Sequence, residues 1–129
     1  MRKLFTVAAL FAGLLASNAA WAQFELRVGS PTGSLVTAGT TISTTISLTA
    51  QTYYLIFTGS IPVNVAANPG ISLGTNANLV IQGNGIVELA GSGTPPANDF
   101  IQVAATGRTI TLNGTVQVQG DNGGDNFIN

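Results

Sequence analysis

The residues that could support chemistry are few and lie mainly near one end of the chain. Asp121 and Asp125 stand four positions apart in the Gly- and Asn-rich segment GDNGGDN. Two nearby carboxylates can act as the acid and base of a glycosidase, and carboxylates are also preferred calcium ligands. The sequence contains no His and no Cys, which removes the usual general base, the thiolate nucleophile and the usual zinc ligands.

The same segment matches a calcium-binding pattern in part. The β-roll nonapeptide G-G-x-G-x-D-x-U-x is matched at four of its five fixed positions, Gly120, Gly123, Asp125 and Phe127, with Asp121 at the second glycine. A β-roll site is shared between consecutive nonapeptides, and only one copy is present. Aspartates in a Gly-Asn turn are typical of exposed polar corners. The sequence therefore predicts no catalytic residues, no metal site and no cofactor.

Two further motifs have an ordinary structural explanation beside a functional one. Asn113-Gly114-Thr115 is a glycosylation sequon, which has meaning only in a eukaryotic secretory pathway. Tyr53, Tyr54 and Phe57 form the densest aromatic cluster and could bind a sugar or a partner. Alternation along a strand favours core packing for at least two of these three aromatic residues.

The first 22 residues have the organisation of a secretory signal peptide. Arg2 and Lys3 are followed by the apolar run LFTVAALFAGLL, and Ala20-Trp21-Ala22 supplies a cleavage site before Gln23. The run is shorter than the roughly 20 residues that a spanning helix needs. We expect an exported chain with no spanning segment after cleavage, located outside the cell or at a bacterial cell surface.

The charge of the exported chain argues against nucleic acid as a partner. Two arginines face five carboxylates after residue 22, a formal net charge of −3. Nucleic acids and anionic lipid surfaces are bound chiefly through clustered Lys and Arg. No such cluster exists in the sequence. Stability must come from packing and backbone hydrogen bonds, since there is no Cys to form disulfides.

The pattern after the signal segment predicts an all-β protein. Apolar and polar residues alternate in short runs rich in Val, Ile, Thr and Leu, and no run shows helical spacing. The clearest predicted strands are YYLIF, IPVNV, NLVIQ, IVELA, FIQV, RTITL and TVQVQ. Pro62 has no N–H to donate, which places its strand at an edge or the proline at a strand start.

Internal repetition suggests how these strands are arranged. YLIFTGSIPVNV from Tyr54, NLVIQGNGIVEL from Asn78 and TITLNGTVQVQ from Thr109 each read as a strand, a Gly-centred corner and a second strand. A short third strand precedes the last two copies, GISL from Gly70 and FIQV from Phe100. Such repeats are typical of solenoids, in which successive coils stack.

The period of the repeat is about 27 to 30 residues, because Phe100 follows Gly70 by 30 and Phe127 follows Phe100 by 27. We predict a parallel β-solenoid with three short strands per coil. Phe100 should then lie against Phe127 or Ile128, and Ile81 near Ile110 or Leu112. Ile110, Leu112, Val116 and Val118 are expected to point into the core, with Phe100 or Ile101 and Val103.

Antiparallel hairpins forming a β-sandwich are the alternative fold. Asn113-Gly114 between alternating strands is a strong signal for a type I′ hairpin. Under this alternative, Ile110 and Leu112 would pair with Val116 and Val118 across the turn.

The predicted organisation has three parts: a signal peptide (1–22), an N-terminal cap or lead-in strands (23–52) and solenoid-like repeats (53–129). The segment DNFIN at the end starts a further repeat and does not finish it. The last coil should therefore present an unpaired strand edge, which is a template for addition of another strand. We expect self-association through terminal strand edges.

Residues 70–129 carry a family resemblance. The stretch NDFIQVAATGRTITLNGTVQVQGDNGGDNFIN, with its TITLNG strand, VQVQG strand and GD corner, resembles the passenger repeats of bacterial autotransporters and filamentous-haemagglutinin-like adhesins. The resemblance implies a right-handed parallel β-helix displayed at the cell surface for adhesion or aggregation. The chain has fewer coils than such proteins and no terminal membrane barrel, so the resemblance implies a truncated or short relative.

The function expected from the sequence is therefore structural and not enzymatic. We expect a secreted or surface-displayed, adhesin-like protein, a passenger fragment or a fibre subunit, with a host or cell-surface ligand or its own copies as partners. The alternatives are a secreted carbohydrate-active β-helix enzyme and a soluble β-sandwich binding module.

Overall fold

The computed structural model describes residues 22–90, 98–120 and 125–129, and these residues form strands, turns and loops. The all-β class expected from the alternating pattern is confirmed. Within the described ranges there is no helix that is long and apolar enough to cross a membrane. The predicted signal peptide, apart from Ala22, lies outside the described residues.

Two strands, β8 and β10, are much longer than the others, with 12 and 11 residues. In chain order they are β1 (Phe24–Val28), β2 (Ser34–Gly39), β3 (Thr41–Ile42), β4 (Ile46–Leu48), β5 (Thr52–Phe57), β6 (Val63–Val65), β7 (Ile71–Leu73), β8 (Asn78–Leu89), β9 (Asp99–Val103), β10 (Ile110–Gly120) and β11 (Asn126–Ile128). β6 begins directly after Pro62, in agreement with the prediction that this proline stands at a strand start.

Two sheets contain all of these strands. The larger sheet has the order β2-β1-β5-β8-β6-β3, with β10 also paired to β8, and the smaller has the order β11-β9-β7-β4. Strand β8 is long enough to pair with β5 through its first half and with β6 through its second half. β10 pairs with β8 from Leu79 to Leu89. Its first half therefore lies beside the part of β8 that pairs with β5, and its second half beside the part that pairs with β6.

The sheets are mixed and not purely parallel. Every pairing that involves β3, β4 or strands after β5 is parallel, whereas β1 pairs antiparallel with both β2 and β5. The short connection between β1 and β2 allows only an antiparallel pair, because a parallel crossover needs a dozen or more residues. Parallel pairing starts at Thr41, before the predicted start of the repeats at residue 53.

The hairpin expected across Asn113-Gly114 does not form. Ile110 to Gly120 are one continuous strand in register with β8, so that Leu112 lies opposite Ile81 and Gly114 opposite Gly83. The four separate strands expected in NLVIQ, IVELA, RTITL and TVQVQ are thus two long strands, β8 and β10. Ile81 and Val87 on either side of Gly83 are buried, and Ile110, Val116 and Val118 around Gly114 pack against the same interior. This burial outweighs the local preference for a turn.

The interior between the sheets is filled by aliphatic and aromatic side chains on alternate positions of the strands. Leu79, Ile81, Val87 and Leu89 of β8 are fully buried or nearly so. The buried cluster also contains Phe24, Leu26, Ile42, Leu48, Leu55, Phe57, Val63, Val65, Ala67, Ile71, Leu73, Ala77, Phe100 and Ile101. Their burial is the main favourable contribution to folding, roughly 25 cal/mol for each Å² of apolar surface removed from water.

The predicted core positions of the last strands are only partly covered. Phe100 and Ile101 are buried as expected, but Val103 is 36% and Leu112 is 50% exposed. Ile110, Val116 and Val118 are partly buried against the core. For the residues of β10 the physical reason is position in the sheet: β8 has paired strands on both sides, whereas β10 has one described neighbour.

Gly83 and Gly107 provide a matched test of close packing in this fold. Both have positive φ, 83° and 74°. A Cβ on Gly83 would lie 2.6 Å from the backbone oxygen of Phe57, whereas a Cβ on Gly107 would meet nothing within 4 Å. We expect Gly107→Ala to cost about 1 kcal/mol of backbone strain, and Gly83→Ala to cost about 3 kcal/mol because steric overlap adds to the strain. Urea denaturation of both variants measures the difference; equal losses would contradict the packing of Gly83 against Phe57.

Candidate functional site

Asp121 and Asp125, the two carboxylates considered as an acid and base pair, are not both among the described residues. Asp121 lies outside the described residues, and Asp125 is placed beside the end of β10, where a side chain on Gly120 would collide with it. Asp125 Oδ1 accepts a hydrogen bond from the backbone N–H of Asn98 at 2.9 Å. This carboxylate therefore has a structural task, holding the segment before β11 against the segment before β9.

Asp99 is the most buried carboxylate of the described chain, with 8% of its surface exposed. Its Oδ1 accepts a hydrogen bond from Asn126 Nδ2 at 2.9 Å, and its Oδ2 accepts one from Asn129 Nδ2 at 2.8 Å. Hydrogen bonds to an ionised group are stronger than those between neutral groups. The Asp99 carboxylate thus clamps the last strand, β11, onto β9.

Asparagine side chains join successive strands at three places with one spacing. The Oδ1 atoms of Asn68, Asn78 and Asn84 each accept a hydrogen bond from a backbone N–H that lies 31 residues further along, at 3.1, 3.0 and 3.0 Å. The donors are Asp99, Thr109 and Thr115. Each of these N–H groups is thereby satisfied by a side chain of the preceding layer, as backbone donors require.

A groove of about 390 Å³ runs beside the middle of β8 and β10. It is lined by Gly59, Ser60, Asn84, Gly85, Ile86, Thr115 and Gln117. The lining has hydroxyl and amide groups but no ionisable side chain. It can offer hydrogen bonds to a neutral ligand, and it has no group that could act as a general acid or base.

The other singled-out residues have structural positions. Tyr53 packs against the core and donates a hydrogen bond to the backbone oxygen of Thr49 at 2.9 Å, and Phe57 belongs to the core. This confirms that at least two of the three clustered aromatic residues fill the interior. Asn113 of the sequon is exposed on β10. Among the described residues, no three His, Cys, Asp or Glu side chains come together as metal ligands would.

The feature with the clearest capacity for interaction is the edge formed by β10 and β11, which we call the terminal edge. Each of these strands has a single described neighbour, β8 and β9 respectively. Apolar side chains that continue the core are exposed along this edge, including Leu112 at 50% and Ile128 at 44%. Neither strand contains a charged residue. Charged residues and prolines are the usual protection of an edge strand against pairing.

The clamp at Asp99 and the asparagine contacts were not anticipated from the sequence. The sequence holds a signal for them: Asn78 precedes LVIQ as Thr109 precedes ITLN, and Asn84 and Thr115 are likewise 31 residues apart. The terminal edge was anticipated, because Phe127 was expected against Phe100. The two rings lie with centroids 5.6 Å apart.

Removal of the Asp99 carboxylate should loosen β11. We expect Asp99→Ala to cost about 2 kcal/mol, because the amides of Asn126 and Asn129 lose a charged acceptor. Amide hydrogen exchange should accelerate at residues 126–129 more than in β5. Glu88→Ala is the matched control, since Glu88 is exposed on β8, and we expect a change within about 0.5 kcal/mol. Unchanged exchange in β11 of the Asp99 variant would contradict the clamp.

Calcium should have no effect on the fold. Asp125 already holds the Asn98 N–H, and a β-roll site needs ligands from consecutive turns. Circular dichroism with calcium and with a chelator should therefore give the same β signal. A large gain of β signal on addition of calcium, lost in Asp125→Ala, would show that a calcium site exists.

Comparisons with known proteins add no assignment to this geometry. No family model, no curated protein and no solved structure matches the chain. A functional interpretation of the terminal edge must therefore rest on its own residues and contacts.

Proposed function

We propose that this chain is a secreted or surface-displayed structural protein of the adhesin type, built as a parallel β-solenoid, which acts through its shape and its strand edges. The proposal includes two forms, a fragment of a larger autotransporter-like passenger and a subunit of a self-assembling fibre. In both forms the partners are other β-strands or a ligand on a cell surface, and the chain performs no catalysis.

The observation that carries the proposal is the parallel pairing of successive layers. Seven of the nine strand pairings in the described chain are parallel. In these parallel pairs the partner residues are separated by 23 to 31 positions in the sequence. Thr41 and Asn64 have the smallest separation, and Leu79 and Ile110 have the largest. A near-constant separation in a run of parallel pairs is the arrangement that stacked coils produce.

The asparagine contacts and the stacked rings support the same interpretation. Each of the three side-chain bridges spans 31 residues, and Phe100 stacks on Phe127 at a separation of 27. Stacks of like or hydrogen-bonding side chains along the axis stabilise such assemblies. In this arrangement the antiparallel pair β1–β2 serves as the lead-in structure at the N-terminal end.

Non-enzymatic action through surfaces is supported by the chemistry of the chain. The sequence has no His or Cys, and the described carboxylates Asp99 and Asp125 accept hydrogen bonds that hold the last strands in place. The uncharged terminal edge has no further strand beside it among the described residues, and another strand can pair there by β-augmentation.

Export and display can be tested in a bacterial host that expresses the chain with its own N-terminal residues. We expect mass spectrometry to show an N-terminus at Gln23, and protease added to intact cells, or analysis of the medium, to reveal the protein outside. Cells that carry it should aggregate or adhere more than control cells. Leu10→Arg, which interrupts the apolar run, should abolish export.

Retention of Met1 together with an intracellular location would refute the proposed function. A second control separates folding from display: Leu26→Asp places a charge at a fully buried position, which should unfold the chain. Adhesion that persists in this variant would contradict a role for the folded shape.

A further inference from the structure

We infer that the terminal edge binds a second copy of the same chain, with the two β10 strands antiparallel about a two-fold axis at Gly114. This inference rests on the proposed function, because it names the partner of the edge through which that function acts. It is argued from the residue pattern of β10, the exposure of its side chains and the absence of charge.

The pattern of β10 is symmetric about Gly114. Apolar residues stand two and four positions away on both sides: Leu112 and Val116, then Ile110 and Val118. Polar residues occupy the intervening positions, Asn113 and Thr115, then Thr111 and Gln117. A strand with this symmetry can pair with its own copy and place every apolar side chain opposite an apolar one.

Pairing about Gly114 would set Leu112 opposite Val116 of the second copy, and Ile110 opposite Val118. These side chains lie on the core side of the strand, since Leu112 is in register with the fully buried Ile81 and Val118 with Val87. The second copy would therefore cover the exposed half of Leu112. Its β10 would place an apolar strand on the open side of β10, as β8 does on the paired side. A two-fold interface requires such self-complementarity.

The position of Gly114 along β10 suits a symmetry axis. Its partner Gly83 stands between the half of β8 that pairs with β5 and the half that pairs with β6. A two-fold axis at Gly114 pairs the first half of one β10 strand with the second half of the other. Both halves thereby gain a neighbour, which satisfies their outward N–H and C=O groups.

Electrostatics do not oppose this contact. Neither β10 nor β11 contains a charged residue, so two identical edges approach without like-charge repulsion. At the other end of the larger sheet, β2 also has an edge, with Leu35 and Val36 exposed. The register between β2 and β1 shifts at these residues: Leu35 pairs with Arg27 and Thr37 with Leu26, so Val36 is an extra residue in β2. Strand β2 therefore cannot match the alternation of β10, which disfavours a head-to-tail stack.

The oligomeric state of the full chain, recovered after expression with its own N-terminal residues, tests the inference. Sedimentation velocity at micromolar concentration should show a dimer. Leu112→Lys should weaken the dimer about tenfold or more, because the charge would be buried without a partner. The matched control is Leu35→Lys, which adds the same charge at the other edge and should leave the dimer unchanged.

Cysteine pairing tests the register and does not depend on a disruptive substitution. The chain has no Cys, and the proposed axis places Asn113 of one copy opposite Thr115 of the other. A mixture of Asn113→Cys and Thr115→Cys chains should form the mixed disulfide on mild oxidation, in preference to either homodimer. Circular dichroism of every variant shows whether the fold is retained.

Three outcomes would overturn the inference. The first is a monomer at all concentrations, and the second is a dimer that does not form the mixed disulfide. The third is an assembly that grows with concentration and is broken by Leu35→Lys, a result that would indicate head-to-tail stacking. None of them bears on export or display, which are measured separately. Intracellular retention, in turn, would refute the proposed function whatever the oligomeric state.

Discussion

The parallel ladder between neighbouring layers of strands is the interaction on which the rest of this structure depends. β8 is the centre of it, because it pairs with β5, β6 and β10 and has its alternate side chains fully buried. A single strand could not bury these side chains without neighbouring strands on both sides. Stability is therefore shared between neighbouring strands, and a strand without a second neighbour keeps apolar surface exposed.

This constraint explains the distribution of polar contacts. Where strands bend or begin, backbone groups lose their ladder partners, and side chains supply the missing bonds. Asn68, Asn78 and Asn84 do so by accepting hydrogen bonds from backbone N–H groups of the neighbouring strand segment. Asp99 makes a different link, because it accepts hydrogen bonds from the side-chain amides of Asn126 and Asn129. The described carboxylates Asp99 and Asp125 thus link neighbouring strand segments, which is a different task from acid and base catalysis.

The same constraint connects the fold with the proposed action of the protein. An edge strand whose core-side residues match those of a buried strand is a surface prepared for one more layer. β10 has that character: Leu112 corresponds to Ile81 and Val118 to Val87, yet no described strand covers them. The proposals of strand addition and of two-fold self-pairing are both consequences of this mismatch between residue type and environment.

The sequence by itself determined the all-β class, the short alternating strands and the recurrence of like segments, because alternation and β-branched composition act locally. It also indicated that Phe100 meets Phe127 and that Ile81 lies near Leu112. At Asn113-Gly114 local chemistry favoured a hairpin and the repeat favoured a corner between two strands, whereas the structure has one continuous strand. Only the tertiary structure decided this, because the turn preference of two residues competes with the burial of a whole row of apolar side chains against β8. The mixed sheets, the Asp99 clamp and the exposure of Leu112 are likewise tertiary results, since each depends on which strand lies next to which, and alternation carries no information about neighbours distant in the chain.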